Sequence, residues 1–259
     1  MAKNKKEIKP ISLPVAVVCA LLIFAFMALF IVYLNGGSFV PEDTSSQATI
    51  DEGSFAEPTP DEPEQSQPPE VKEYMSEAEI GDAVIYGSYI QNGEEAQPIE
   101  WIVLNKTEDA LTLISRYCLD CVPYNTDRVA VSYQDSSIYA WLNGEFLNNA
   151  FTEIQQANIL STDGLGKAYL LSAEEAAQYY EYDSWRKTAA TDYAKSKGAK
   201  LKDGIANWWL RDINPESTNA QYVYYNGTIA QKGFAVDYNV VAVRPVILVS
   251  ANAEKQETE

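Results

Sequence analysis

The stretch DAVIYGSYI, residues 82–90, is the first of three apolar segments that decide the fold of this chain. IEWIVLN at 99–105 and ALTLISRY at 110–117 follow it at short intervals. Each segment either alternates apolar and polar residues or has a short apolar core, which is typical of β-strands that pair with their neighbours in sequence. These three segments therefore predict three strands of one mainly antiparallel sheet.

Four short helices are predicted after these strands. The segment 136–151, SSIYAWLNGEFLNNAF, has apolar residues at helical spacing, although Gly144 predicts a break or a helix in two parts. Thr152 and Ser172 are each followed three residues later by Gln or Glu, which is the capping-box pattern of a helix start. The segment 188–200, TAATDYAKSKGAK, predicts the fourth helix.

The carboxy-terminal region returns to strand patterns. Asn226 and Gly227 predict a type I′ hairpin turn, because that turn needs a positive φ at both central positions. Strands before and after a group of helices predict the α+β class, with one mixed, mainly antiparallel sheet and several short helices. The strand segments predicted here are NWWLRD (207–212), AQYVYYNG (220–227), GFAVDYN (233–239) and VAVRPVILV (241–249).

The segment 11–34, ISLPVAVVCALLIFAFMALFIVYL, is apolar except for one serine and predicts a single transmembrane helix. A signal peptide has a shorter core, about 7 to 15 residues, and a small-residue cleavage site, so an uncleaved anchor fits better. Four lysines lie within residues 1–10, and the first charges after the span are acidic. The positive-inside rule then predicts a cytoplasmic tail at 1–10, the lipid bilayer as the partner of 11–34, and an extracellular carboxy-terminal domain of a cell-membrane protein.

The composition changes sharply after this span. Residues 35–72 are rich in proline and acidic residues, and they cannot bury enough apolar surface to offset the entropy of ordering them. They are predicted to form a disordered acidic stalk. Residues 73–250 hold all five tryptophans and are predicted to form one extracellular globular α+β domain. Residues 251–259 are predicted to be a flexible tail.

Charge and composition exclude several functions. The formal net charge is −18, and no basic cluster occurs beyond the amino-terminal lysines, so nucleic acid is excluded as a partner. The chain has no histidine, which excludes catalytic triads based on that residue and the common imidazole metal sites. No cofactor, metal site or catalytic residue is predicted. A pair of carboxylates that hydrolyses glycosides remains conceivable, but nothing in the pattern singles one out.

Cys118 and Cys121 frame the sequence CLDC, and four interpretations of this pair are open. A redox centre needs a depressed thiol pKa, which a helix start commonly provides, but VPYNTD follows here. A structural zinc site needs four ligands, and the third cysteine, Cys19, lies in the predicted span. Two buried packing residues or a local disulfide fit the pattern better.

The segment 207–217, NWWLRDINPES, is the most unusual part of the chain. Trp208 and Trp209 are adjacent, so on a strand one ring is expected in the core and the other is exposed or covered by a loop. Burial of both rings is the alternative. An exposed aromatic side chain beside Arg211 and Asp212 would suit the binding of a sugar or a peptide.

Seven segments, in order, resemble the bacterial domain-of-unknown-function family 6273 over about residues 80–249. They are GDAVIYGSY with PIEWIVLN, LDCVPYNT, IYAWLNGEFLNNAF, YLLSAEEA, TDYA, WWLRD and VAVRPVILV. The family has no assigned activity. Its members commonly have only the second cysteine of CLDC, which implies that Cys121 packs in the core. Their usual WWLRSPG reads WWLRDINP here, so Asp212 changes the charge of that loop.

The layout of this family is similar to the C-type lectin-like fold of formylglycine-generating enzymes. That likeness implies a fold and does not imply a function. Formylglycine formation uses cysteines late in the chain, but none occurs after Cys121. The related sulfoxide-forming enzymes use a histidine-bound iron, which this chain cannot provide.

These observations favour a membrane-anchored cell-surface protein that binds a ligand, a cell-wall glycan or a peptide, without catalysis. An envelope structural or assembly protein that acts through protein contacts is the alternative. An enzyme of thiol or carboxylate type is favoured less. The residues predicted to contact the ligand are Tyr124, Asn125, Trp208, Trp209, Arg211 and Asp212.

Overall fold

The computed structural model of the protein describes residues 68–214 and 217–253. The predicted cytoplasmic tail at 1–10, the predicted transmembrane helix at 11–34 and most of the predicted stalk lie outside these residues. Within the described ranges, no helix is both long enough and apolar enough to span a bilayer. Those ranges form a mixed α+β structure with mainly antiparallel sheet and few helices.

The described residues contain twelve strands. Their bounds are β1 Val71–Lys72, β2 Ala83–Ile90, β3 Ala96–Lys106, β4 Ala110–Ser115, β5 Ile159–Leu160, β6 Ala168–Tyr169, β7 Leu201–Lys202, β8 Ile205–Ala206, β9 Trp208–Ile213, β10 Asn219–Val223, β11 Ile229–Ala235 and β12 Val246–Ser250.

The helices of the described residues are short. Their bounds are α1 Ser137–Trp141, α2 Leu147–Ala150, α3 Glu153–Asn158, α4 Ala173–Tyr179 and α5 Asp192–Ser196, with a π-helical turn at Leu142–Phe146 and 3-10 turns at Met75–Glu77 and Asp183–Arg186.

The largest sheet has seven strands in the order β1-β2-β3-β4-β12-β5, with β6 also paired to β12. The three strands predicted at 82–90, 99–105 and 110–117 are confirmed as β2, β3 and β4, and they pair in antiparallel fashion. β1 pairs with β2 in parallel, so Val71 and Lys72 belong to the sheet although the sequence places them in the stalk. Every residue of β4 is buried, which means that both faces of this strand are covered.

The prediction of a single sheet is wrong, because β9, β10 and β11 form a separate three-stranded sheet and β7 pairs only with β8. The segment before β12 lies between the two larger sheets. Ala242 makes a single bridge to Trp208 and Val243 makes a single bridge to Asp120. Pro245 has no N–H to donate to a ladder, and regular pairing begins only at the residue after it.

The segment predicted as helical at 136–151 forms a helix in two α-helical parts, so the two-part alternative is confirmed, and a break at Gly144 does not occur. The chain passes from α1 through the π-helical turn into α2, and the turn accommodates Gly144 without ending the helix. The capping boxes predicted at Thr152 and Ser172 are confirmed, since each side chain accepts a hydrogen bond from the backbone three residues later.

The hairpin predicted at Asn226 and Gly227 is confirmed by the antiparallel pairing of β10 and β11, but its turn type is not I′. Gly227 has a φ of 92°, whereas Asp203 is the sole described non-glycine residue with a positive φ. The Gly227 N–H donates to Tyr224 O at 2.7 Å and the Tyr224 N–H donates to Thr228 O at 2.8 Å. This pattern is a three-residue loop in which a glycine closes the turn as a bulge.

Candidate functional site

The two adjacent tryptophans are both fully buried, at 0% exposure each, which confirms the alternative that both rings lie in the interior and excludes an exposed ring. The Trp208 Nε1–H donates to Arg186 O at 3.1 Å, and the Trp209 Nε1–H donates to Val122 O at 3.2 Å. Their rings do point to opposite sides of β9, as a strand requires, but contacts from distant parts of the chain cover each side. Neither ring is available to stack on a ligand.

Tyr124 and Asn125 are buried as well and stabilise the surrounding chain. The Tyr124 hydroxyl donates to Arg211 O at 2.6 Å, and burial raises its pKa well above the ordinary value. The Asn125 Oδ1 accepts hydrogen bonds from the backbone N–H and the hydroxyl of Ser137, at 3.1 and 3.0 Å, where α1 begins. Both side chains therefore hold loops and helix ends in place.

Arg211 and Asp212 connect β9 to the start of α4. The Arg211 guanidinium forms an ion pair with Glu175, with Nη2 2.7 Å from Oε1, and also donates to Leu170 O at 3.0 Å. Burial acts to raise the pKa of Glu175, but the hydrogen bonds from Arg211 and Ser172 outweigh it and lower that pKa. Asp212 Oδ2 accepts the backbone N–H of the first residue of α4 at 2.6 Å. This pair is partly exposed, and these contacts hold β9 to the start of α4.

The structure thus brings Tyr124, Trp209, Arg211 and Asp212 together, with Asn125 beside them and Trp208 on the other face of β9. These residues take part in the packing between the three-stranded sheet and α4, and they do not line an open cleft.

Cys118 and Cys121 are free thiols buried in the core, and they are not joined in a disulfide. Burial raises the pKa of each thiol to about 12. The Cys121 Sγ–H donates to Asn239 O at 3.2 Å. A thiol that stays protonated at neutral pH is a poor nucleophile and a poor metal ligand, so the packing interpretation is the one this geometry supports. No group of three or more His, Cys, Asp or Glu side chains that could hold a metal ion occurs in the described ranges.

Aromatic side chains of the small sheet form a surface that the sequence analysis missed. Five rings follow one another in contact along the β10–β11 hairpin and the turn after it, and we call them the aromatic stripe: Tyr225, Tyr224, Tyr222, Phe234 and Tyr238. Successive ring centroids along this row are 4.2, 6.1, 5.9 and 5.0 Å apart. Tyr224 is 36% exposed and Tyr238 is 46% exposed.

The strand geometry explains how the aromatic stripe forms. Tyr222 and Tyr224 are two residues apart, so both extend to one side, while Val223 between them points into the core. Phe234 of β11 pairs with Ala220 of β10. The register shifts between Ala220 and Tyr222, in the pairing of β10 with both β11 and β9, and the Phe234 ring lies beside the Tyr222 ring. The tyrosines of YVYY are the part of the aromatic stripe that the sequence displays. The contact with Phe234 depends on the register between β10 and β11, which neither strand shows by itself.

The aromatic stripe has a rigid base and one charged end. The Tyr222 ring packs edge-on against the buried Trp209 ring, with centroids 6.4 Å apart. At the end formed by Tyr225, the Lys202 ammonium lies 4.4 Å from the ring centroid and donates to the hydroxyl at 2.7 Å. That hydrogen bond lowers the pKa of Tyr225. The stripe is therefore a partly exposed, pre-ordered row of amphipathic rings.

The fold and the site define an α+β domain with a surface row of aromatic side chains. The family model described as "Domain of unknown function (DUF6273)" matches residues 108–251, more than half of the chain, and the chain belongs to this family. This confirms the resemblance, although β2 and β3, which belong to the same sheet as β4, precede the matched region. No curated protein and no solved structure matches the chain, so the C-type lectin-like likeness stays a prediction.

Proposed function

We propose that this chain is a cell-surface protein whose globular domain binds a neutral glycan through the aromatic stripe, without catalysis. The observation that carries the proposal is the continuity of five partly exposed rings over a buried, hydrogen-bonded base. Tyrosine offers a large rigid face and a hydroxyl at low entropic cost, and sugars present both apolar C–H faces and hydroxyl groups. A row of such rings matches that mixed chemistry.

A peptide that adds to the sheet as a further strand is disfavoured by the free edge of this sheet. β11 is the edge strand of the three-stranded sheet. Its centre carries the exposed Gln231 and Lys232 and a bulge at Gly233, where φ is 68°. A charged side chain and a bulge are features by which proteins prevent pairing at an edge. Binding through the ring faces of the aromatic stripe is therefore favoured over pairing of a ligand strand with β11.

The proposal includes the location predicted from the sequence. Residues 11–34 anchor the protein in the cell membrane, the amino terminus is cytoplasmic, and the domain is carried outside. The chain's net charge of −18 disfavours polyanionic polymers and favours an uncharged polysaccharide. Catalysis is not part of the proposal, because both described thiols are buried with raised pKa values.

The test uses the full-length protein in a non-ionic detergent that contains no sugar. Sedimentation with insoluble peptidoglycan, chitin and cellulose measures the bound fraction. Tyr224→Ala and Tyr238→Ala should each weaken binding to the recognised polysaccharide about tenfold, since an aromatic contact worth about 1.4 kcal/mol corresponds to that factor. Tyr74→Ala is the matched control, because Tyr74 is 47% exposed and lies outside the stripe.

Two outcomes would overturn the proposal. One is that no polysaccharide sediments the protein, and the other is that both stripe variants bind as well as the wild type. Photo-crosslinking from position 224 in cells that recovers one dedicated envelope protein would instead favour the alternative function in envelope assembly.

A further inference from the structure

A shallow depression of about 370 Å³ lies outside the aromatic stripe, where the β2–β3 hairpin meets the segment that enters α5. Its lining consists of amides, one carboxylate, one tyrosine and small residues, and we call it the amide depression: Gln91, Asn92, Gln97, Tyr117, Ala190 and Asp192 are its main residues. Its volume is within the range of pockets that bind small molecules.

Two of the amides are held in fixed orientations and keep part of their hydrogen-bonding capacity. Gln91 Nε2 donates to Gln97 O at 3.2 Å and to Pro98 O at 2.9 Å, and among the described residues its Oε1 has no partner. Asn92 Oδ1 accepts two backbone N–H groups of its own turn. Its Nδ2 has no partner within the described part of the chain. Groups ordered in advance bind a ligand at a lower entropic cost.

The carboxylate of the amide depression, that of Asp192, has a hydrogen-bond partner for only one of its two oxygens among the described residues. Asp192 Oδ1 accepts from the Lys195 ammonium at 2.8 Å, and no described residue pairs with its second oxygen. The Gln91 carbonyl accepts the N–H of the next residue, Tyr193, at 2.9 Å, which fixes the start of α5 against the β2–β3 hairpin. The second Asp192 oxygen and the Gln91 Oε1 are therefore two acceptors on backbone segments that this hydrogen bond joins.

The floor and the wall of the depression are apolar. Ala190 is buried, and the backbone around it is held by a bridge to Cys118. Tyr117 is 37% exposed, and the Arg116 guanidinium lies over its ring at 5.5 Å from the centroid. Arg116 is itself paired with Glu100, so its charge is already compensated.

We propose that the amide depression is a second binding site, separate from the aromatic stripe, that takes one or two pyranose rings of a neutral sugar. Acceptors and amide donors around an apolar floor match a ring that has hydroxyl groups on its rim and C–H groups on its faces. A carboxylate in the lining and a compensated arginine disfavour an anionic ligand. A second weak site on the same domain would increase the avidity for a long glycan.

The experiment measures saturation transfer to N,N′-diacetylchitobiose, methyl β-D-glucopyranoside and glucuronate with the full-length protein in the same detergent. The inference expects transfer to at least one neutral sugar and about tenfold weaker binding in Tyr117→Ala and in Gln97→Ala. Gln97 is exposed, so its variant is expected to keep the wild-type melting temperature. Gln231→Ala is the matched control, since Gln231 is an exposed glutamine of β11 outside the depression.

Tyr224→Ala separates the two sites. It should weaken polysaccharide sedimentation about tenfold and keep the part of the saturation transfer that Tyr117→Ala and Gln97→Ala remove, so failure of the proposed function and failure of this inference are distinguishable. The inference is overturned if neither neutral sugar binds, if glucuronate binds more tightly than both, or if Tyr117→Ala and Gln97→Ala bind as the wild type does.

Discussion

The Tyr89 hydroxyl donates a hydrogen bond of 2.6 Å to Oδ2 of Asp120, in the interior of the domain. Oδ1 of the same carboxylate accepts the N–H of Cys121 at 2.6 Å, so both oxygens have partners. The contact ties the end of β2 to the CLDC segment. Asp120 is 3% exposed, so this carboxylate lies in the core of the domain.

The first prediction concerns the dependence of stability on pH. Burial raises the pKa of Asp120 above its ordinary value, and the hydrogen bonds from Tyr89 and Cys121 only partly oppose it. A carboxyl whose pKa is higher in the folded state than in the unfolded state stabilises the fold when protonated, and that contribution is lost as the pH rises through the folded-state pKa. The wild type should therefore lose stability between pH 4 and pH 7 while the neutral amide of Asp120→Asn does not, so the free energy of unfolding of the variant relative to the wild type should increase over this range.

Urea unfolding of the two proteins at pH 4 and pH 7 measures this difference. Gln231→Ala is a control, because it removes an exposed side chain that does not titrate and should give the same difference at both pH values. A relative stability of Asp120→Asn that stays constant or falls with rising pH would contradict the prediction.

The second prediction concerns the thiols. Since the pKa values of Cys118 and Cys121 are raised to about 12 and both side chains are buried, neither should react with iodoacetamide at pH 8 in the folded protein. Both should react completely in concentrated urea. Peptide mapping by mass spectrometry distinguishes these two sites from Cys19, and native labelling of either thiol would refute their structural role.

The third prediction tests the structural role of a residue that the sequence suggested for ligand binding. The Arg211 and Glu175 side chains are 19% and 29% exposed, and they are joined by paired hydrogen bonds. A double-mutant cycle with Arg211→Met and Glu175→Gln should give a coupling energy of about 1 kcal/mol or more in urea unfolding. A coupling near zero would mean that the pair does not hold β9 to α4 and would return Arg211 to the candidates for ligand contact.

Local features of the structure could be predicted from the sequence, while the surface of the domain could not. The alternation in 82–90 and the capping boxes at Thr152 and Ser172 act over a few residues, so their patterns predicted the correct elements. Burial of Trp209 depends on Tyr124, 85 positions earlier, and on Tyr222, 13 positions later, which lie against its ring. Such contacts exist only after the chain has folded.

The same reasoning explains why the candidate sites were missed. The aromatic stripe needs the register of two strands and a bulge to bring Phe234 beside Tyr222. The amide depression needs Gln91 and Asp192, which are 101 positions apart and meet because the backbone of α5 bonds to the end of β2. No single segment contains either arrangement.

The last prediction concerns the loop that carries the aromatic stripe. Gly227 has a φ of 92°, and a Cβ at this position would overlap the carbonyl oxygen of Asp183. Gly204 has a similar φ of 82°, but a Cβ there would have no neighbour within 4 Å. Gly204→Ala should therefore cost only the backbone strain, roughly 1–2 kcal/mol. Gly227→Ala should cost a further 1–3 kcal/mol or so, because the Asp183 backbone must also move. Urea unfolding of the two variants measures the difference, and equal losses would show that the loop does not rest on the 3-10 turn that contains Asp183.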